Sequence, residues 1–318
     1  MANTDELRLM TKVARLYYER QMRQGEIANL MGLSQASISR LLNSAKEAGI
    51  VRITVNIPNG VNSEIEEQVA QKFRLKDAIV VDCEDDQDEI LLQREIGSAA
   101  AYYVETIIHN NDVVGISSWS GTLLALVDAM HQVPGRTGIQ VVQILGGIGN
   151  PSAEVHANRL TGRFASLVNG TAHFLPAPGI LGSEAALKVL LADQYVREAT
   201  NLFNRVTIAL VGIGDIEPSK LLTLSGNVFS LEEQEELRSK GAVGDILLRF
   251  FDELGKPVKG PLSNRVVSMS LEQLTRANRA VAVAGGPRKF KAILGSLRGK
   301  WINVLVTDRR TAERLLAE

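Results

Sequence analysis

The chain has a single cysteine, Cys83, among its 318 residues. That excludes an intramolecular disulfide and points to a reducing compartment, with the cytoplasm as the expected location. Long apolar runs are missing as well. No segment approaches the ~18–20 apolar residues that a membrane span needs, so no membrane partner is expected. The stretch Met1–Arg8 is polar and lacks the apolar core of a signal peptide. A strong excess of either charge is also absent, since the formal net charge is −1. The average hides an asymmetry. Residues 1–56 hold eight Lys/Arg against five Asp/Glu, or +3, while the remainder holds 27 against 31, or −4. A basic front on an acidic body fits a small polyanion-binding module joined to a larger domain.

Familiar catalytic and cofactor motifs are lacking too. Gly212-Ile213-Gly214 has no third glycine at the dinucleotide spacing. Gly115-Ile116-Ser117-Ser118-Trp119 fails the hydrolase elbow, because its last position is not glycine. Gly285-Gly286-Pro287-Arg288-Lys289 is not a Walker loop. His109, His131, His156 and His173 show no metal-ligand spacing with Cys83. The acidic run Glu84, Asp85, Asp86, Asp88, Glu89 lacks the calcium-loop pattern and reads as a solvated loop. No metal or cofactor is called for.

What is present at the front is helical. Over residues 5–20, Met10, Val13 and Tyr17 share a face, with Leu9 and Leu16 beside them. Residues 24–31 predict a second, short helix with Ile27, Leu30 and Met31 inward. Gly32 suits a sharp turn, Ser34 is a good N-cap, and residues 35–45 predict a third helix. Ile38, Leu41, Leu42 and Ala45 line its buried stripe. Its outer face shows Gln35, Ala36, Ser39, Arg40 and Asn43. Two short helices about a tight turn, the second polar outward, form the helix-turn-helix pattern. A helix fits the major groove, where Gln and Asn pair with adenine, Arg with guanine, and Ser with either or with phosphate. The candidate DNA-contacting residues are Gln24, Ser34, Gln35, Ser37, Ser39, Arg40 and Asn43. "IVRITVNI" (50–57) then alternates like a strand, either a wing touching phosphate or the exit from the module. Pro58-Asn59-Gly60 breaks it.

The expected organisation is an all-α helix-turn-helix domain over 1–57, a linker helix within 58–75, and an α/β domain over 76–318. In the last, short apolar runs predict strands at 78–83, 112–117, 139–145, 206–212, 279–284 and 302–306. Helical patterns lie between them, as at 90–108 and 121–131. Such alternation predicts a mostly parallel sheet covered on both faces, with ligands at the carboxyl ends of its strands. Four glycine loops fall there: 115–122, 146–151, 212–215 and 285–289. The first carries Ser117, Ser118, Ser120 and Thr122 into a helix start, where free N–H groups favour an anion. Together the loops suggest a small hydroxylated or phosphorylated ligand.

Several longer stretches resemble the sorbitol-operon regulator (SorC) family of bacterial transcription factors. They are "EAGIVRI" after the third helix, "VVGISSWSGTLL", "VVQILGGIGNP", "LPAPGI", "GAVGDILLRFFD" and "VAGGPRKFKAILGSLRGKWINVLVTD", in the family's order along nearly the whole chain. The resemblance implies a body related in fold to sugar-phosphate isomerases and tetramer-type homo-oligomers. It implies two partners, double-stranded operator DNA and a carbohydrate effector (a sugar phosphate, sugar or polyol). Carried onto matching positions, the effector site would use Ser118, Ser120, Gly121, Thr122, Gly146, Gly147, Asp245 and Lys289. One departure stands out. Where the family often reads Ser-Trp-Gly-Arg-Thr, this chain reads Ser-Ser-Trp-Ser-Gly-Thr, so the usual glycine is Ser120 and the usual arginine is Gly121. The alternative is a sugar-phosphate isomerase with a DNA-binding appendage. Asp245 would then be a base without an evident second acid–base partner.

Overall fold

The computed structural model describes residues 4–51, 61–83, 88–226 and 229–318; for 151–156 and 220 only the backbone is described. The chain divides into two compact units, Met1–Pro58 and Asn59–Glu318.

The first unit holds α1 (Thr4–Ala14), α2 (Gln24–Met31) and α3 (Gln35–Glu47). Where one helix is expected over 5–20, α1 gives way to a π-helical turn at Arg15–Glu19. The rings of Tyr17 and Tyr18 meet edge to face there. Val13, Leu16, Ile27, Ala28, Ile38 and Leu42 form the core. Leu30 departs from expectation and is 62% exposed. It lies at the edge of the stripe that Ile27 and Ala28 bury. Gly32 ends α2 in the left-handed region at φ +63°. Ile50 and Val51 pack near Met10, Ala14 and Ala45. The rest of the expected strand at 50–57, and the Pro58-Asn59-Gly60 break, lie outside the described residues.

The second unit begins with α4 (Ser63–Phe73), which covers β1 (Asp77–Val81). The helix expected as a linker is thus part of the body's packing. It also guards an edge of the sheet. The Glu66 carboxylate accepts from Val80 N–H at 2.9 Å, and Asn62 Nδ2 donates to Val80 O at 3.1 Å. Burial raises the pKa of Glu66.

The remaining strands are β2 (Val113–Ile116), β3 (Gln140–Gln143), β4 (Thr171–His173), β5 (Ile208–Val211), β6 (Ala242–Ile246), β7 (Arg249–Asp252), β8 (Arg279–Val283) and β9 (Val304–Asp308). Seven of the nine strands among the described residues, β1 included, form one sheet in the order β1-β9-β8-β5-β2-β3-β4. Every pairing in it is parallel. All six expected strands are present. Cys83 lies beyond the end of β1 rather than within a strand, and β4 was not anticipated. Helices α5 (Glu89–Ile107) and α6 (Gly121–Ala129) cover one face through Ile96, Val104, Leu123 and Leu126. A larger cluster around Phe203, Phe251 and Ile293 fills the other.

Strand order fixes where a ligand can sit. From β2 the chain winds outward through β3 and β4, then returns to β5 and winds the other way through β8 and β9. The reversal leaves a crevice between the carboxyl ends of β2 and β5. An antiparallel hairpin, β6–β7, stands beside it. Its two turn residues, Leu247 and Leu248, are left-handed at φ +58° and +61°. This is the place of the Asn-Gly pair usual in such turns. Leucine there costs roughly 1–2 kcal/mol per residue, and both side chains are buried. Arg249, next in chain, is held by Ser268 Oγ and by the carbonyls of Ser263, Val266 and Ser268.

Candidate functional site

The crevice is a cleft with about 660 Å³ of empty space, open solvent at its mouth included. The loop after β2 supplies Ser117, Trp119, Ser120, Gly121 and Thr122; the loop after β5 supplies Gly212 to Asp215. Asp245, Leu247 and Leu248 come from the hairpin, Lys289 from the loop after β8, and Glu89 and Gln93 from the first turns of α5.

Ser120 is the N-cap of α6 and accepts from Leu123 N–H at 3.2 Å. Gly121 and Thr122 therefore present the first N–H groups of a helix to the cleft, a place suited to ligand oxygens. Gly214 exchanges both backbone hydrogen bonds with Asp245, each 3.0 Å. A β-carbon at 214 would strike the Asp245 carboxylate, so glycine is required for this approach. Asp245 Oδ2 also accepts from Leu248 N–H at 2.7 Å. Burial, opposed by that bond and by Lys289, pushes the Asp245 carboxyl up to about 6. Burial likewise raises Asp215, although Arg288 lies 3.1 Å away. The Arg288 guanidinium is shared with Glu89 at 3.2 Å. Lys289 is half-buried, and burial lowers its pKa against the pull of Glu89, Asp215 and Asp245. Among the described residues its ammonium has no hydrogen-bond or ion-pair partner.

Five of the eight expected effector residues thus line the cleft: Ser120, Gly121, Thr122, Asp245 and Lys289. Three do not. Ser118 is buried, and its hydroxyl donates to Leu145 O at 2.7 Å. Gly146 accepts from Trp119 Nε1 at 2.8 Å, and a β-carbon there would collide with Pro178. Gly147 rests against the Gln143 carboxamide. Ser118 and Gly146 tie the loop after β2 to the loop after β3, while Gly147 packs against the end of β3. Of the acidic run, Glu84, Asp85 and Asp86 lie outside the described residues. Asp88 caps α5 by accepting from Ile90 and Leu91 N–H.

Sequence reasoning missed Glu89, Gln93, Asp215 and the support beneath Lys289. That support is Asp308, which is 1% exposed. Its Oδ2 accepts from Gly286 N–H and from Thr311 Oγ1, both at 2.7 Å. Its Oδ1 accepts from Thr311 N–H at 2.8 Å, so one carboxylate caps a helix and fixes the glycine loop. Asp308 was visible in the sequence as a cap before "RRTAERLLA", but its second role joins distant residues.

In the first unit, Ser34 caps α3, accepting from Ser37 N–H at 3.1 Å and meeting Ser37 Oγ at 2.9 Å. Gln35, Arg40 and Asn43 are exposed; Gln24, Ser37 and Ser39 are half-buried. Gln35, Ser39 and Asn43 recur every fourth residue, which aligns them along one outer stripe of α3. The face is free of carboxylates up to Glu47.

A helix-turn-helix unit joined to an α/β unit with a polar strand-end cleft defines a ligand-responsive transcription regulator. Comparison with known proteins sharpens this. A family model described as "Putative sugar-binding domain" matches residues 58–317. The sorbitol operon regulator of Klebsiella pneumoniae is 33% identical over 320 residues, covering 99% of this chain and all of that one. The deoxyribonucleoside regulator of Bacillus subtilis is 30% identical, covering 98% of each. The crystal structure of the full-length Klebsiella regulator superposes with a TM-score of 0.73 at 32% identity, covering 98% of this chain and 100% of that one. The chain belongs to the SorC family of sugar-binding transcriptional regulators.

Proposed function

We propose that the protein regulates a carbohydrate-catabolism operon, binding operator DNA through its first unit and a small carbohydrate through its second. The single observation that carries this is an unpaired lysine in a cleft at the sheet's reversal point, on a chain that also presents a capped helix-turn-helix. The DNA contacts assigned are Gln24, Ser34, Gln35, Ser37, Ser39, Arg40 and Asn43. Ser120, Gly121, Thr122, Asp245 and Lys289 hold the effector, a sugar phosphate, sugar or polyol, while Ser118, Gly146 and Gly147 support the wall. The protein acts in the cytoplasm as a homo-oligomer, since paired recognition helices match a two-fold operator, and the tetramer is the assembly that the family resemblance implies. No helix among the described residues is long and apolar enough to cross a membrane.

Effector binding controls the DNA only if the ligand prefers one arrangement of the assembly, since equal affinity for two states shifts neither. The relatives named above are regulators, and the chain is a regulator rather than an isomerase. The test is a thermal-shift screen of sugars, sugar phosphates and polyols on the full chain. A true effector raises the melting temperature progressively with concentration, and Lys289→Met abolishes the rise. A rise unchanged in that variant would place the ligand elsewhere.

A further inference from the structure

The charges around the cleft favour one class of effector over another. Three carboxylates face it, from Glu89, Asp215 and Asp245. Against them stand two cations, and one of these is already engaged: Arg288 is bound to both Glu89 and Asp215. Lys289 alone is unshared. A phosphate monoester brings a charge of about −1.5 to −2 at neutral pH and needs several converging donors or cations. Among the described residues, with Arg288 matched to Glu89 and Asp215, it would meet one unshared cation, Lys289, and the Asp245 carboxyl beside it.

The loop after β2 sharpens the point. Residue 121 has no side chain, and the space a β-carbon would claim is taken by the Gln93 carboxamide, whose Oε1 lies 2.5 Å from that position. Gln93 Nε2 in turn donates to Glu89 Oε1 at 3.3 Å. The entrance to α6 is thus furnished with a neutral amide and a carboxylate. Hydroxyl groups suit such a wall, because each both donates and accepts. Acceptors are offered by Glu89, Gln93, Asp215 and Asp245, and donors by Lys289, the Gly121 and Thr122 N–H groups, and the hydroxyls of Ser117, Ser120 and Thr122.

We propose that the cleft takes an uncharged polyhydroxy compound, an open-chain polyol or free sugar, and rejects its phosphate monoester. The inference rests on the cleft being the effector site. Glu89 and Gln93 are then specificity determinants, acting by excluding negative charge at the start of α6.

The experiment is calorimetric titration of the full chain with matched pairs: sorbitol and sorbitol 6-phosphate, erythritol and erythritol 4-phosphate, glucose and glucose 6-phosphate, with inorganic phosphate alone. The expected result is that a neutral member binds and its phosphate ester binds at least tenfold more weakly. Glu89→Gln should narrow that gap severalfold, and Gly121→Arg should raise affinity for the ester, since the displaced Gln93 amide is a flexible end. Should Gly121→Arg fail to fold, Glu89→Gln carries the same test. An ester that binds more tightly than its neutral parent overturns the inference while leaving the effector site standing. Discrimination unchanged in Glu89→Gln overturns the role of that carboxylate. Binding by none of the compounds overturns the carbohydrate reading itself.

Discussion

Replacing Asp245 by Asn should make the second unit more stable at neutral pH. An aspartate in the unfolded chain titrates near 3.9, whereas burial holds Asp245 at about 6 in the fold. Between those values the native state keeps a proton that the unfolded chain has lost. Stability therefore falls as pH rises from about 4 to about 6, and the full penalty is present at pH 7. Two pH units at 1.36 kcal/mol each set an upper bound of roughly 3 kcal/mol. One feature reduces it: Asp245 is only half-buried, so solvent screens part of the penalty. The expected gain is roughly 1–2 kcal/mol at pH 7, shrinking to nothing near pH 4. Asparagine preserves the bond to Leu248, since its carbonyl oxygen accepts the same N–H. Urea unfolding followed by tryptophan fluorescence reads this cleanly, because the chain's two tryptophans, Trp119 and Trp301, both lie in the second unit. A variant no more stable than wild type at pH 7, or a gain that persists at pH 4, would refute the reasoning. The same variant should bind effector less well, as a carboxylate kept for function at a cost in stability.

Arg40→Ala should weaken operator binding by ~1–3 kcal/mol at fixed salt if Arg40 reads a base, and gel-shift titration measures it. Ser34→Ala removes the cap of α3 and should cost the first unit ~1 kcal/mol, seen as a lower urea midpoint by circular dichroism of residues 1–58. Asp308→Ala removes the buried carboxylate that accepts from Gly286 N–H, leaving that N–H only the longer bond to Thr311 Oγ1 at 3.1 Å, and uncaps the last helix; it should cost about 1–3 kcal/mol in unfolding free energy. Its effector affinity should fall as well, through the loosened loop that carries Lys289. An unchanged affinity in calorimetry would separate Asp308 from the site.

Much of the sheet was legible because β2 and β5 are buried along their whole length and so read as continuous apolar runs. Strand β4 was not, being three residues at the edge with an exposed first residue. The hairpin escaped because its turn is Leu-Leu, whereas the sequence signal for such a turn is Asn-Gly. The glycine loops after β2, β5 and β8 line the cleft, as their place at the strand ends leads one to expect. The loop after β3 has the same composition but turns its glycines against Pro178 and Gln143. Composition alone does not distinguish a glycine that admits a ligand from one that admits a neighbouring chain segment. Glu89 and Gln93 were read as the end of a solvated acidic run and the start of a helix. Only the packing of α5 against α6 brings them over the β2 loop.

The proposed function requires that an occupied cleft be coupled to operator binding within one chain. The direct measurement is fluorescence anisotropy of an operator, selected from random DNA by the full chain, titrated with the compound that stabilises it. The account predicts that the compound shifts operator affinity at least tenfold in wild type and leaves Lys289→Met unmoved, with both binding the operator equally well in its absence. An operator affinity indifferent to the bound compound in wild type would contradict it.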